Sequence, residues 1–275
     1  MIKNGLKIHC CRLTAHRQMR TKLRPAAALF EWLLIWLLIW GCHLPVQPSA
    51  DESADNRLEA KAYNDSGKIL ALRGHLDEAI ENFTTAIELN PNYAEAYNDR
   101  GVVWLNKGDF DRALSDYTRA LEINPGYAKA YYNRALAFRV AGKLDAAIAD
   151  FTGAIKINPA YAAAYNNRGV VWLNQNELDK AIADCGKAIE INHSYTTAFY
   201  NRGLALKAKG ELEQAVDDFT KAIGLNPNYA EALNERGGCF IQINQIAKGC
   251  HDLRKACELK FCEQLNLAKE RNLCH

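Results

Sequence analysis

The chain has 275 residues, with 34 Lys and Arg against 32 Asp and Glu, a formal net charge of +2 and 9 cysteines. An apolar share of 49% and a charged share of 24% exclude wholesale disorder and a polytopic membrane protein. The charge is uneven: residues 1–24 hold seven basic side chains and no acid, which leaves 27 basic against 32 acidic groups, or −5, for the remainder. That acidic balance argues against a nucleic-acid partner, which needs cations clustered on the folded part.

Residues 1–42 read as a signal peptide or membrane anchor. Lys3, Lys7, Arg12, Arg17, Arg20, Lys22 and Arg24 precede an apolar run, AAALFEWLLIWLLIWGC, from Ala26 to Cys42, in which Glu31 is the one charge. A basic start, a short apolar stretch and a small residue form a secretory pattern. The run is shorter than the roughly 20 apolar residues of a spanning helix. Its end, Ile39-Trp40-Gly41-Cys42, resembles the lipobox of bacterial lipoproteins, which implies lipidation at Cys42; Trp40 departs from the small or aliphatic residue usual there. Residues 1–18 are long for the basic part of a signal, so Met1 and Met19 both stand as starts. Lipoprotein and uncleaved anchor both stay open. Either places the body outside the cytoplasm, on the periplasmic side of a bacterial envelope, since the basic flank stays inside. Residues 43–59, with two prolines and three acids among HLPVQPSADESADNR, predict a flexible tether.

Beyond the tether the chain repeats itself. AYNDRGVVWLN at Ala96 returns as AYNNRGVVWLN at Ala164, with AYYNRALAF at Ala130 and AFYNRGLAL at Ala198, each step being 34 residues. The frame gives six units over 60–260, starting at 60, 94, 128, 162, 196 and 230. Position 8 is small (Gly67, Gly101, Ala135, Gly169, Gly203, Gly237), and position 27 is alanine throughout (Ala86, Ala120, Ala154, Ala188, Ala222, Ala256). Such residues let two helices approach closely, with large side chains such as Tyr97, Trp104 and Tyr117 filling the gaps. Gly74, Gly108, Gly142 and Gly210 stand where a first helix should stop, and Pro91, Pro125, Pro159 and Pro227 follow the second. A helical hairpin of this kind cannot bury its apolar face alone and must stack.

This pattern resembles the tetratricopeptide repeat (TPR). The resemblance implies an all-α fold: a right-handed superhelical solenoid of six helix-turn-helix units. The departures are Cys185 and Leu253 at the aromatic position 24, His193 for the proline, and Asn176 and Asn244 for the stop glycine. They predict looser packing in the fourth and sixth units. Position 7 is Arg in five units (Arg100, Arg134, Arg168, Arg202, Arg236) and position 23 is Asp in the same five (Asp116, Asp150, Asp184, Asp218, Asp252). The first unit has Ser66 and Asn82 instead. Their joint loss predicts an Arg–Asp pair between the helices of each unit, favoured by the fork of arginine.

The resemblance further implies a concave groove lined by the first helices, mainly through positions 2, 5, 9, 12 and 13. Here positions 5, 9 and 12 alternate: Asn98, Val102 and Leu105; Tyr132, Leu136 and Arg139; Asn166, Val170 and Leu173; Tyr200, Leu204 and Lys207. The expected groove is apolar and amide-lined, with two tyrosines and two cations, and suits a peptide. The two-carboxylate clamp of chaperone-binding members has no counterpart: Asn133, Asn167 and Asn201 fill position 6, but positions 5 and 9 do not match.

Five of the six cysteines beyond Cys42 fall in the last 37 residues, and an exported chain can oxidise them. Cys250 and Cys257 lie about 10.5 Å apart along one helix, too far for a mutual bridge. The expected pairing joins Cys250 or Cys257 to Cys262 or Cys274 and pins a C-terminal cap, 261–275, over the last unit. The segment GCHDLRKACELKFC looks like the cysteine-bearing end of some bacterial TPR proteins. No CxxC spacing supports zinc, and no GxSxG, HExxH, GxxxxGK[ST] or CxxCH motif occurs. The expectation is a non-enzymatic, membrane-tethered scaffold without cofactor, whose partners are proteins or peptides and which reaches the membrane through its N-terminal segment. An adaptor docking an envelope protease or cell-wall hydrolase would use the same groove. The oligomeric state is not legible in the sequence.

Overall fold

A computed structural model of the protein describes residues 50–274. The targeting segment with Cys42, both candidate starts and the beginning of the tether lie outside the described residues. Within them the chain forms thirteen α-helices and no strand.

The helices come as pairs in the 34-residue frame: α1 (Ala50–Leu72) with α2 (Leu76–Leu89), α3 (Ala94–Asn106) with α4 (Phe110–Ile123), and α5 (Ala128–Val140) with α6 (Leu144–Ile157). Then follow α7 (Ala162–Asn174) with α8 (Leu178–Ile191), α9 (Thr196–Lys209) with α10 (Leu212–Leu225), and α11 (Ala230–Gln242) with α12 (Ile246–Glu258). A short α13 (Glu263–Glu270) closes the chain. Second helices pack both on their own first helix and on the first helix of the next unit, which is a solenoid.

Each second helix buries positions 20, 24 and 27, one stripe at i, i+4 and i+7, as Ala113, Tyr117 and Ala120 do in α4. Across from that stripe stands the small residue of position 8. A Cβ added at Gly101 would lie 2.8 Å from the Tyr117 ring, and one at Gly203 would lie 2.7 Å from Phe219. Close approach is therefore what the small residue secures. The expected looser packing is not found at this contact: Cys185 and Leu253 are fully buried, and a Cβ at Gly169 or Gly237 would meet them at 2.8 and 2.9 Å. The backbones keep the spacing, and the shorter side chain still fills the position.

Chain reversals obey the sequence closely. Gly74, Gly108, Gly142 and Gly210 take φ between 72° and 87°, and Asn176 (60°) and Asn244 (62°) adopt the same left-handed conformation in their units. At the other turn an asparagine ends the second helix in extended backbone, as a residue before proline prefers. Its side-chain oxygen accepts from the amide two residues on: Gly126 N to Asn124 at 3.0 Å, Ala160 N to Asn158 at 3.1 Å. Ser194 N bonds Asn192 in the same way at 3.0 Å, so the turn holds at His193 without its proline.

Two ends depart from the frame. The tether expected over 43–59 is helical from Ala50 on, ten residues ahead of the first unit. No Gly or Pro interrupts the chain between Pro48 and Gly67, and the composition of 50–59, with Ala, Glu, Arg and Leu, favours helix. This extension rests on local preference: Leu58 is 71% exposed. At the C-terminus, α13 starts one residue before the frame would begin a seventh first helix at 264. It buries Leu265 and Ala268 with Cys250, Leu253 and Cys274 against the last unit. The cap thus stands where a seventh unit would stack.

Candidate functional site

The frame of the site is a ladder of ion pairs between the two helices of each unit. Arg100 donates Nε and Nη2 to the two carboxylate oxygens of Asp116 at 2.9 and 2.8 Å. The same fork joins Arg134 to Asp150, Arg168 to Asp184, Arg202 to Asp218 and Arg236 to Asp252, all at 2.7–3.0 Å. Each Asp is buried. The third nitrogen reaches one unit back: Nη1 of Arg100, Arg134, Arg168 and Arg236 donates to Thr84, Thr118, Thr152 and Thr220 at 2.8–3.2 Å. Arg202 lacks this bond because Gly186 holds the threonine position. The ladder therefore ties helix to helix and unit to unit.

First helices also touch each other, α3 with α5, α7 with α9 and α9 with α11, whereas consecutive second helices do not pack to the same degree. The first helices thus line the inner face. At about 100° per residue, positions 2, 6, 9 and 13 fall within about 60° of one another, while 5 and 12 turn toward the next unit. Exposure follows that geometry. Position 13 is open in all six units (Leu72, Asn106, Val140, Asn174, Ala208, Gln242), with Leu72 89% and Val140 59% exposed. Val102, Leu136, Val170 and Leu204 at position 9 are half-buried beside it, as are Leu105 and Leu173 at position 12.

Position 5 is not offered to a ligand as expected. Asn98 and Asn166 are buried, and their Oδ1 atoms accept from Asn133 (2.8 Å) and Asn201 (2.9 Å) of the next unit. The amide lining is committed to joining units. Tyr132 and Tyr200 are half-buried: Tyr132 packs on Phe151 and Tyr161 with ring centres 5.8 and 4.9 Å away, and Tyr200 packs likewise on Phe219 and Tyr229. Burial raises both phenol pKa values. The hydroxyl of Tyr132 accepts from Asn167 Nδ2 at 3.1 Å. The geometry also brings out a row that motif reading passed over. Tyr93, Tyr127, Tyr161, Tyr195 and Tyr229, all at position 34, cap successive first helices and stay half-buried along the edge of the face. Their signal was in the sequence as a tyrosine repeated at 34-residue steps.

Charges on this face are mostly matched. Asp99 lies 3.7 Å from both Lys68 and Lys129, and Lys207 bonds Glu235 at 2.5 Å. At the far end Lys207, Gly238, Ile241, Gln264, Leu267 and Arg271 border a cavity of about 240 Å³ between α11 and α13. The cysteines there pair Cys250 with Cys274 and Cys257 with Cys262, one partner on α12 in each case. Cys185 and Cys239 are free and buried, and burial pushes their thiols up to about 12 and about 11. Among the described residues no group of three or more His, Cys, Asp or Glu is placed to hold a metal, and no helix is long and apolar enough to cross a membrane.

Family models described as TPR repeat match residues 67–108 and 136–176. Models described as tetratricopeptide repeat match 94–127, 162–195 and 197–229, and a further one matches 116–149. No curated protein matches the chain. Among solved structures, MamA is 29% identical, covering 63% of this chain and 94% of that one with a TM-score of 0.55. YrrB, described as a TPR protein with an unusual peptide-binding site, is 25% identical over 69% of this chain and 97% of its own, with a TM-score of 0.59. Pseudomonas aeruginosa pilF, 16% identical, shares the fold over 78% of this chain and 99% of its own with a TM-score of 0.70. The family matches run through every residue from 67 to 229 except 196, more than half of the 275, and the chain belongs to the tetratricopeptide repeat family.

Proposed function

We propose that the chain is a non-enzymatic, membrane-tethered scaffold outside the cytoplasm that binds extended peptide segments of partner proteins along its first helices. The observation that carries this reading is the open row at position 13, flanked by half-buried Val and Leu at position 9 and bordered by the position-34 tyrosines. Such a strip offers apolar area, stiff aromatic walls and polar ends in one line, as peptide grooves do. The peptide-binding site named for YrrB supports it. Export is supported by the basic leader, the lipobox-like Cys42 and two cystines in the cap. A photo-crosslinking amino acid at Asn106, Val140 or Asn174, introduced one at a time in intact cells, should trap partners in the membrane fraction. The same probe at Glu122, Lys156 or Glu190 on the second helices should trap none. Equal trapping from both faces, or adducts in the soluble cytoplasmic fraction alone, would overturn the proposal.

A further inference from the structure

The two cation-bearing first helices are built alike but finished differently. The fifth unit carries Tyr200 and Lys207, the third Tyr132 and Arg139, at the same frame positions 5 and 12. Position 12 turns toward position 6 of the next unit. In the fifth unit that neighbour is Glu235, and its Oε2 accepts from Lys207 Nζ at 2.5 Å, with 27% and 18% of the two side chains exposed. In the third unit the neighbour is Asn167, whose Nδ2 is already donated to the Tyr132 hydroxyl at 3.1 Å and the Ala163 carbonyl at 2.9 Å.

Among the described residues Arg139 consequently has no carboxylate partner. Its Nε is buried without a hydrogen-bond acceptor, whereas Lys68, Lys129 and Lys207 each face an acid. A guanidinium cannot shed its proton, and a buried N–H without acceptor is destabilising. The arginine lies beside the open row at Val140 and near enough to Tyr132 for its charge to act on that phenol. It is a half-buried cation at the middle of the face with donors to spare.

We infer that Arg139 is the anchor for a carboxylate of the bound peptide, an Asp or Glu side chain that serves Arg139 as Glu235 serves Lys207. This rests on the peptide-binding reading and names the ligand chemistry that the groove selects. The fork of arginine matches a carboxylate in two parallel bonds, and the chain itself supplies a carboxylate at the corresponding place in the fifth unit.

The test is selection. The full chain, held in detergent micelles and immobilised, is panned against a randomised decapeptide library with acetylated and amidated ends, so that side chains supply every carboxylate. Wild type should enrich Asp or Glu at one position by about tenfold. Arg139→Gln should still capture peptides but lose that preference. Asn167→Glu, which gives the arginine its own acid, should lose it too, and Lys156→Gln, exposed on a second helix, should keep it. Circular dichroism melts of all four proteins check that each is folded. Capture without an acidic preference, or an unchanged preference in Arg139→Gln, would overturn the inference and leave the peptide groove standing. Capture by none of the proteins would remove both.

Discussion

Gly186 is the one gap in the cross-unit ladder among the five arginines, and filling it should stabilise the solenoid. The other four arginines give Nη1 to a threonine hydroxyl of the preceding unit at 2.8–3.2 Å. Three of those threonines also donate to the carbonyl four residues back, at 2.7 Å. A Cβ built on Gly186 would sit 3.6 Å from Arg202 Nη1, an ordinary contact with no clash. The missing hydroxyl leaves its mark: the Arg202 side chain is 28% exposed, against 16–19% for the other four. Gly186 lies inside α8, so any β-branched residue gains about 0.4 kcal/mol of helix preference over glycine. A hydrogen bond from a charged donor adds about 1 kcal/mol at this partly exposed site. Gly186→Thr should therefore stabilise by about 1.4 kcal/mol and Gly186→Val, the same shape without the hydroxyl, by about 0.4 kcal/mol. In urea unfolding followed by circular dichroism, the Thr–Val difference isolates the bond. Equal midpoints for the two variants would refute the reasoning.

Asp150→Asn should destabilise wild type by about 3 kcal/mol, the lower end for breaking a buried ion pair, and an Arg134→Met background far less; equal losses in both would mean that the fork contributes nothing. Tyr117→Phe should stabilise by about 1 kcal/mol at neutral pH, because the phenol oxygen is buried without a partner and Phe83, Phe151 and Phe219 fill the same position elsewhere. Burial holds the Tyr117 phenol protonated well above its ordinary pKa of 10.0. Its contribution is therefore intact below about pH 10 and declines above it, where the unfolded chain gives up a proton that the folded chain keeps, by about 1.4 kcal/mol per pH unit. Removing the phenol should make the alkaline fall shallower by that slope. Peptide mapping of unreduced protein should find Cys250 linked to Cys274 and Cys257 to Cys262, and alkylation of the folded protein should leave Cys185 and Cys239 unmodified.

The helical hairpins, their stops and the Arg–Asp pairs were legible because each depends on spacing within one unit. Arg134 and Asp150 sit 16 residues apart on two helices whose packing is fixed by the small residues at positions 8 and 27. What spacing within a unit does not specify is how much of each first helix the next unit covers. Asn98 and Tyr132 share position 5, yet the first is buried against Asn133 and the second stays half-open, because rotation between units decides coverage and the size of the side chain decides how far it emerges. The open row at position 13 follows from that same rotation. The helix over 50–59 escaped the composition argument because polar, proline-flanked sequence reads as a linker even where Ala, Glu, Arg and Leu favour helix.

The claim that the first helices form the ligand face is tested most directly by hydrogen–deuterium exchange with a peptide selected as above. Saturating peptide should slow amide exchange in α3, α5, α7 and α9 and leave α4, α6, α8 and α10 unchanged. Slowing confined to the second helices, or spread equally over both sets, would contradict the account.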